Sequence, residues 1–152
     1  MLEKIPISRA ETERTTVYLI DTNILSESRK GKDANPSVLR FWESAGAEDC
    51  YISVQTIGEI RKGLESIRSR GDVDQASRLE IWLNLLTSEY ADRMIDFDRD
   101  CAHIWGILSA LHPQNPIDKQ IAAIALIHSL TVVTCNVKDF SGTGVNLLNP
   151  FI

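Results

Sequence analysis

The sequence predicts a doubly wound α/β domain. Four short runs rich in β-branched and aromatic residues are apolar without alternation, the pattern of strands buried on both faces of a parallel sheet. Segments with helical periodicity separate them, so strand and helix alternate as in βαβ units. At 152 residues the chain has the length of one domain, able to bury a core without disulfides or structural metal.

A polar leader is expected at residues 1–16, with mixed charge and no apolar segment of a signal peptide, followed by a single domain over 17–152. VYLID (17–21) reads as the first strand. At 36–45, Val38, Leu39, Trp42 and Ala45 share one helical face. CYISV (50–54) is the second strand, and in 56–69 the residues Ile57, Ile60, Leu64 and Ile67 form an apolar stripe. A helix over 74–90 aligns Leu79, Trp82, Leu83 and Leu86. Ile81 and Leu85 lie beyond that stripe, so a second face is expected to be covered by another subunit or a partner protein. RMIDF (93–97) is the third strand. The helix 99–111 carries Ile104, Ile107, Leu108 and Leu111 and is stopped by His112-Pro113. The segment 117–130 is nearly all apolar and should be deeply buried. TVVTC (131–135) follows as the fourth strand, and VNLLN (145–149) is a weaker fifth, ended by Pro150.

Composition excludes several classes. Hydrophobic residues at 43% and charged residues at 24% rule out disorder and fibrous repeats. No apolar run approaches the ~20 residues of a membrane span. Cys50, Cys101 and Cys135 are an odd number without a C-x-x-C pair. They read as buried apolar residues of a reducing compartment, so a cytoplasmic location is expected. A net charge of −5 argues against a broad basic nucleic-acid face.

In a doubly wound sheet, ligands bind outside the carboxyl ends of the strands, and the helix N-termini lie on that same edge. Asp21 ends the first strand. Glu59 falls in the first turn or so of the helix after the second strand, and Asp118 opens the helix leading into the fourth. Asn136 directly follows the fourth strand, with Asp139 three residues on. Each has an ordinary structural explanation. Thr56 to Glu59 fits a capping box, Asp118 suits a helix dipole, and Asn136 to Asp139 fits another cap. Thr22 and Asn23 could bond Asp21 locally and start a helix. Together, however, the acids converge on one edge. Clustered carboxylates repel one another, and a divalent cation removes the conflict. Oxygen-only ligands suit Mg²⁺ or Mn²⁺ rather than zinc, and the chemistry expected of such a site is phosphodiester hydrolysis. Arg61 and Lys62 beside Glu59, and Lys119 and Lys138 beside the other acids, are candidates to hold phosphate. Trp42, Trp82 and Trp105 read as core or interface, and His103, His112 and His128 are isolated. Gly31 to Asn35 is a candidate specificity loop.

Four blocks, YLIDTNILSE (18–27), SVQTIGEIRKGLE (53–65), PIDKQIAAIAL (116–126) and TCNVKDFSGTGVNLLNP (134–150), occur in order at suitable separations. In them the chain resembles PIN-domain ribonucleases, close to the VapC and FitB-like toxins of bacterial toxin–antitoxin pairs. The resemblance covers nearly the whole chain after residue 16. It implies a three-layer α/β/α sandwich around a mainly parallel sheet, RNA cleavage with Mg²⁺ or Mn²⁺, and a homodimer. It also implies inhibition by a small VapB-like antitoxin, through which alone DNA would be met. The family's acids map onto Asp21, Glu59 and Asp118, while the variable fourth position falls on Asn136 or Asp139. Asp21 and Asp118 are then the core metal ligands, with Glu59 completing the metal sphere or holding its water. Asp139, taken as the fourth acid, would orient a metal-bound water. Thr22, Asn23, Thr134 and Asn136 would brace the cluster or contact phosphate. Cys135 stands where many relatives carry arginine. Two other readings remain. A haloacid-dehalogenase-type phosphohydrolase would want an Asp where Asn23 stands, and a non-catalytic partner-binding module would use its acids only as caps.

Overall fold

The computed structural model describes residues 15–152; nearly all of the leader predicted at 1–16 lies outside the described residues. The strands are β1 (Tyr18–Ile20), β2 (Cys50–Ser53), β3 (Met94–Ile95), β4 (Thr131–Val133) and β5 (Asn146–Leu148). They form one sheet in the order β3-β2-β1-β4-β5, with every ladder parallel. The helices are α1 (Thr22–Ser28), α2 (Pro36–Ser44), α3 (Val54–Ser69), α4 (Val73–Glu89), α5 (Arg99–Leu111) and α6 (Pro116–His128).

The unbroken apolar character of the strands has a direct cause, because successive side chains enter two different cores. Ile20, Cys50, Ile52 and Val133 pack with Ile24, Val38, Phe41, Ile60, Leu64 and Leu83, so α1 to α4 cover one face. Leu19, Ile95 and Val132 pack with Cys101, Leu108, Ile121 and Ile124 from α5 and α6 on the other. The result is the expected three-layer α/β/α sandwich. The chain lays down β1, β2 and β3 outward, then crosses back through α5 and α6 to place β4 on the far side of β1. The order therefore reverses between β1 and β4, which opens a crevice outside their carboxyl ends. The register Ile20↔Val133 brings Asp21 and Thr134 side by side at that crevice.

The helix start that Thr22 and Asn23 offered is formed: both bond Asp21, the N-cap of α1, a seven-residue helix whose only buried residues are Ile24 and Leu25. That is too little apolar periodicity to show the helix's length in the sequence. Other local expectations are corrected. Helix α3 begins at Val54 and is capped by Ser53, whose hydroxyl accepts from the Thr56 amide at 3.4 Å. The capping box from Thr56 to Glu59 is therefore not formed, and Glu59 sits in the second turn. Cys50 and Cys101 are buried as expected, but Cys135 is exposed because the chain has already left β4. Ile81 and Leu85 on α4 are each 63% exposed. No helix among the described residues is long and apolar enough to cross a membrane.

Candidate active site

Asp21 is only 3% exposed at the end of β1, where a carboxylate is costly to desolvate without polar partners. Three groups supply them. The Thr22 amide donates to Oδ1 at 2.8 Å, and Thr134 Oγ1 and Asn23 Nδ2 donate to Oδ2 at 2.8 and 3.0 Å. Asn23 also donates to Thr134 Oγ1 at 3.2 Å and accepts from the Cys135 amide at 3.1 Å. Thr134 Oγ1 in turn accepts from the Asn136 amide at 3.0 Å. The ends of β1 and β4 are thus locked by one side-chain network. Burial outweighs these bonds and pushes the Asp21 carboxyl up from its ordinary value.

The remaining acids arrive from different elements. Glu59, half-buried on α3, accepts from Thr22 Oγ1 at 2.8 Å through Oε1. Burial, then the neighbouring Asp21 charge, raises its pKa. Asp118 lies in the first turn of α6, where its carboxylate has no hydrogen-bond donor among the described residues. Burial together with the charges of Asp21, Asp139 and Glu59 pushes its carboxyl up to about 7. Asp139 lies in a 3-10 turn, Val137–Phe140, directly after β4. Asn115 Nδ2 donates to its Oδ1 at 3.1 Å. The four acids predicted to meet are therefore near enough to repel one another, and each comes from a different part of the chain. Asn136 is exposed, and its side chain makes no cap to the turn it precedes. A groove of about 420 Å³ lined by Gln55, Gly58, Lys62, Gly63 and Ile117 opens beside Glu59.

The cations divide. Lys62 and Lys138 are exposed beside Glu59 and Asp139, and the Lys62 charge offsets a small part of the rise in the Glu59 pKa. Arg61 does not face the acids. Its guanidinium bonds Glu80 of α4 at 2.8 Å and Glu65 at 3.2 Å, because adjacent helical residues diverge by about 100°. Lys119 is also withdrawn from phosphate duty: it is 3% exposed and donates to the carbonyls of Gln114 and Asp139 at 2.9 and 2.8 Å. Asn115 escaped the sequence reading altogether, although an Asn before a proline at a helix start was a visible signal. Trp42 and Trp82 are half-buried beside the helices of the first core, and Arg29 lies 5.6 Å over the Trp82 ring. Asn35, at the end of the predicted specificity loop, caps α2.

The donor set fits a hard divalent cation. All four acids offer oxygen. Glu59 Oε2 and the Asp118 carboxylate are without hydrogen bonds among the described residues, and the repulsion raising Asp118 is what an ion would relieve. Among the described residues no three His, Cys, Asp or Glu side chains stand placed as a cage that could hold a metal ion. Mg²⁺ does not require one, since it keeps several waters and takes one or two carboxylates.

Comparison with known proteins places this architecture. The chain is 30% identical over 140 residues to the plasmid stability protein StbB of Pseudomonas syringae pv. tomato, a span covering 89% of this chain and 99% of the relative. It is 28% identical over 144 residues to the VapC ribonuclease Y4jK of Sinorhizobium fredii, covering 89% and 98%. The crystal structure of FitAcB from Neisseria gonorrhoeae matches with a TM-score of 0.76 at 29% identity, covering 89% of this chain and 99% of that one. A toxin–antitoxin complex from Klebsiella pneumoniae matches at 0.63 and 26% identity, covering 88% and 97%. The PIN domain model matches residues 18–145, and the chain belongs to the PIN-domain family.

Proposed function

We propose that this chain is a metal-dependent endoribonuclease and the toxin of a cytoplasmic toxin–antitoxin pair. The observation that carries the reading is the convergence of Asp21, Glu59, Asp118 and Asp139 at the sheet's switch point, with Asp118 raised to about 7 by burial and by the other three charges. The similarity to a VapC ribonuclease supports RNA as the substrate. Two competing readings fit less well. A phosphohydrolase using a second acid at position 23 meets a neutral Asn23 that braces Asp21 and Thr134. A binding module whose acids are caps leaves Glu59 unexplained, since it lies past the first turn and is held by another helix.

Asp21 and Asp118 would hold Mg²⁺ or Mn²⁺, with Glu59 completing the sphere. When bound, the ion lowers the pKa of water and draws charge from the phosphate oxygens. Asp139 would orient the attacking water, and the exposed Lys62 and Lys138 would hold flanking phosphates. Thr22, Asn23 and Thr134 keep Asp21 and Glu59 oriented. A VapB-like antitoxin and a second copy of the chain are the proposed protein partners. Exposed apolar residues on α4 (Ile81, Leu85) and on α5 (Ile107 at 62%, Leu111 at 73%) give both a surface to cover. The test is cleavage of RNA by the purified protein in Mg²⁺, in EDTA, and with Asp21→Asn. Cleavage is expected only in the first condition, and an active Asp21→Asn protein would sink the assigned site.

A further inference from the structure

We propose that Asn115 and Lys119 are positioning residues that make Asp139 the fourth acid and couple it to Asp118; the inference rests on the nuclease reading above. An Asn at a helix N-cap ordinarily turns its side chain onto the amides of the first turn. Asn115 occupies the N-cap of α6 but makes no such bond. Its Nδ2 reaches instead to Asp139 Oδ1 at 3.1 Å, across 24 positions of sequence. The backbone pays a conformational cost for this, since Asn115 lies at φ 53°, in the left-handed region, immediately before a proline. Strain of this kind persists only where the surroundings enforce it.

Lys119 makes the second tie. A nearly buried ammonium needs partners, and this one takes the carbonyls of Gln114 and Asp139, one on each side of the junction between α6 and the turn after β4. Side chain and main chain of Asp139 are therefore both held from the first turn of α6, the turn that carries Asp118. Two acids that reach the site on separate segments are bound to one frame. Asn136 is held through its main chain, whose amide donates to Thr134 Oγ1 at 3.0 Å, but among the described residues its side chain meets just the adjacent Cys135 thiol, at 3.6 Å.

The test uses the full-length protein with Asn115→Gly, Asp139→Asn and the double variant. Glycine accepts the left-handed conformation and lacks the amide, so Asn115→Gly removes the tie while keeping the backbone. Two readouts are taken: RNA cleavage under single-turnover conditions, and the Mn²⁺ concentration giving half the maximal rise in Tm. We expect Asn115→Gly to hold or raise the metal-free Tm, slow cleavage about tenfold and raise the half-maximal Mn²⁺ about tenfold, as loss of an outer contact to a metal site does. The double variant should be no worse than Asp139→Asn alone. Unchanged cleavage and Mn²⁺ response in Asn115→Gly, or losses that multiply in the double variant, would overturn the inference. Lys119→Met should shift both readouts in the same direction, and if it does not fold, the Asn115 series decides. A wild-type protein that responds to Mn²⁺ but cleaves no RNA defeats the nuclease reading, and the inference is then decided by the Mn²⁺ response. A wild-type protein showing neither response defeats both.

Discussion

Helix α3 borders two charge clusters built on opposite terms. Toward α4, Arg61 and Arg68 meet Glu65 and Glu80. Arg61 lies 2.8 Å from Glu80 and 3.2 Å from Glu65, while Arg68 lies 3.0 Å from Glu80 and also bonds Glu65. Every charge there has an opposite and faces solvent. Toward the end of the sheet, Glu59 joins Asp21, Asp118 and Asp139, with Lys62 as an exposed counterion and Lys119 committed to carbonyls. The first cluster lowers the pKa of its acids and raises that of its arginines. The second raises Asp21, Glu59 and Asp118. Charge compensation marks a clamp between helices. Its absence, in a place where burial makes absence costly, marks the candidate site.

The sharpest way to break this contrast is to neutralise the uncompensated cluster. Asp21→Asn is expected to reduce cleavage by more than about a hundredfold, beyond the cost of an outer-shell contact, while the metal-free Tm falls only modestly, since the new amide nitrogen must face one of the donors that now meet the carboxylate. A large drop in Tm would mean that Asp21 is structural. Thr134→Val should come next. At a threonine with no exposed surface, it removes one of the two donors to Asp21 Oδ2 and the acceptor of the part-buried Asn136 amide, costing about 1–3 kcal/mol by denaturant unfolding, with cleavage down about tenfold.

A smaller effect separates the clusters by pH. Asp118 titrates near 7 in the folded chain, against its ordinary value of 3.8 when unfolded. Between those values the native state binds more protons than the unfolded one, so metal-free stability falls as pH rises through this window. Asp118→Asn should flatten that fall, which unfolding of the two proteins at pH 4.5, 6 and 8 (roughly spanning the window) would reveal. Millimolar Mg²⁺ should stabilise the wild type more at the upper end, where the acids are ionised. A Tm difference between wild type and variant that does not change with pH would remove Asp118 from the cluster.

The smallest effect belongs to the compensated side. Glu80→Ala should leave cleavage intact and lower Tm slightly, by an amount that shrinks in about 0.5 M salt because exposed pairs are screened. Lost cleavage in Glu80→Ala would show that the α3–α4 clamp also shapes the site.

Much of the fold was legible because it follows from period and order. Unbroken apolar strands announced two covered faces, and alternation with helices put Asp21, Glu59, Asp118 and Asp139 on one edge before any contact was known. Of helix α1 just the start at Thr22 and Asn23 was legible, because seven residues with two buried side chains carry too weak a period to show its extent. Ser53 and Thr56 are both able N-caps, and only the end of β2 at Ser53 decided between them.

The sequence by itself determined the architecture and the edge on which the acids lie, since both depend on local periodicity and chain direction. Tertiary structure decided where each side chain turns. It sent Arg61 to α4 and Lys62 to the acids, sank Lys119 into the core, and tied Asn115 to Asp139. It also joined Thr22 to Glu59 across 37 positions and Thr134 to Asp21 across 113. Those outcomes depend on which helix packs against which strand, and that is a property of distant segments meeting, which no local pattern encodes.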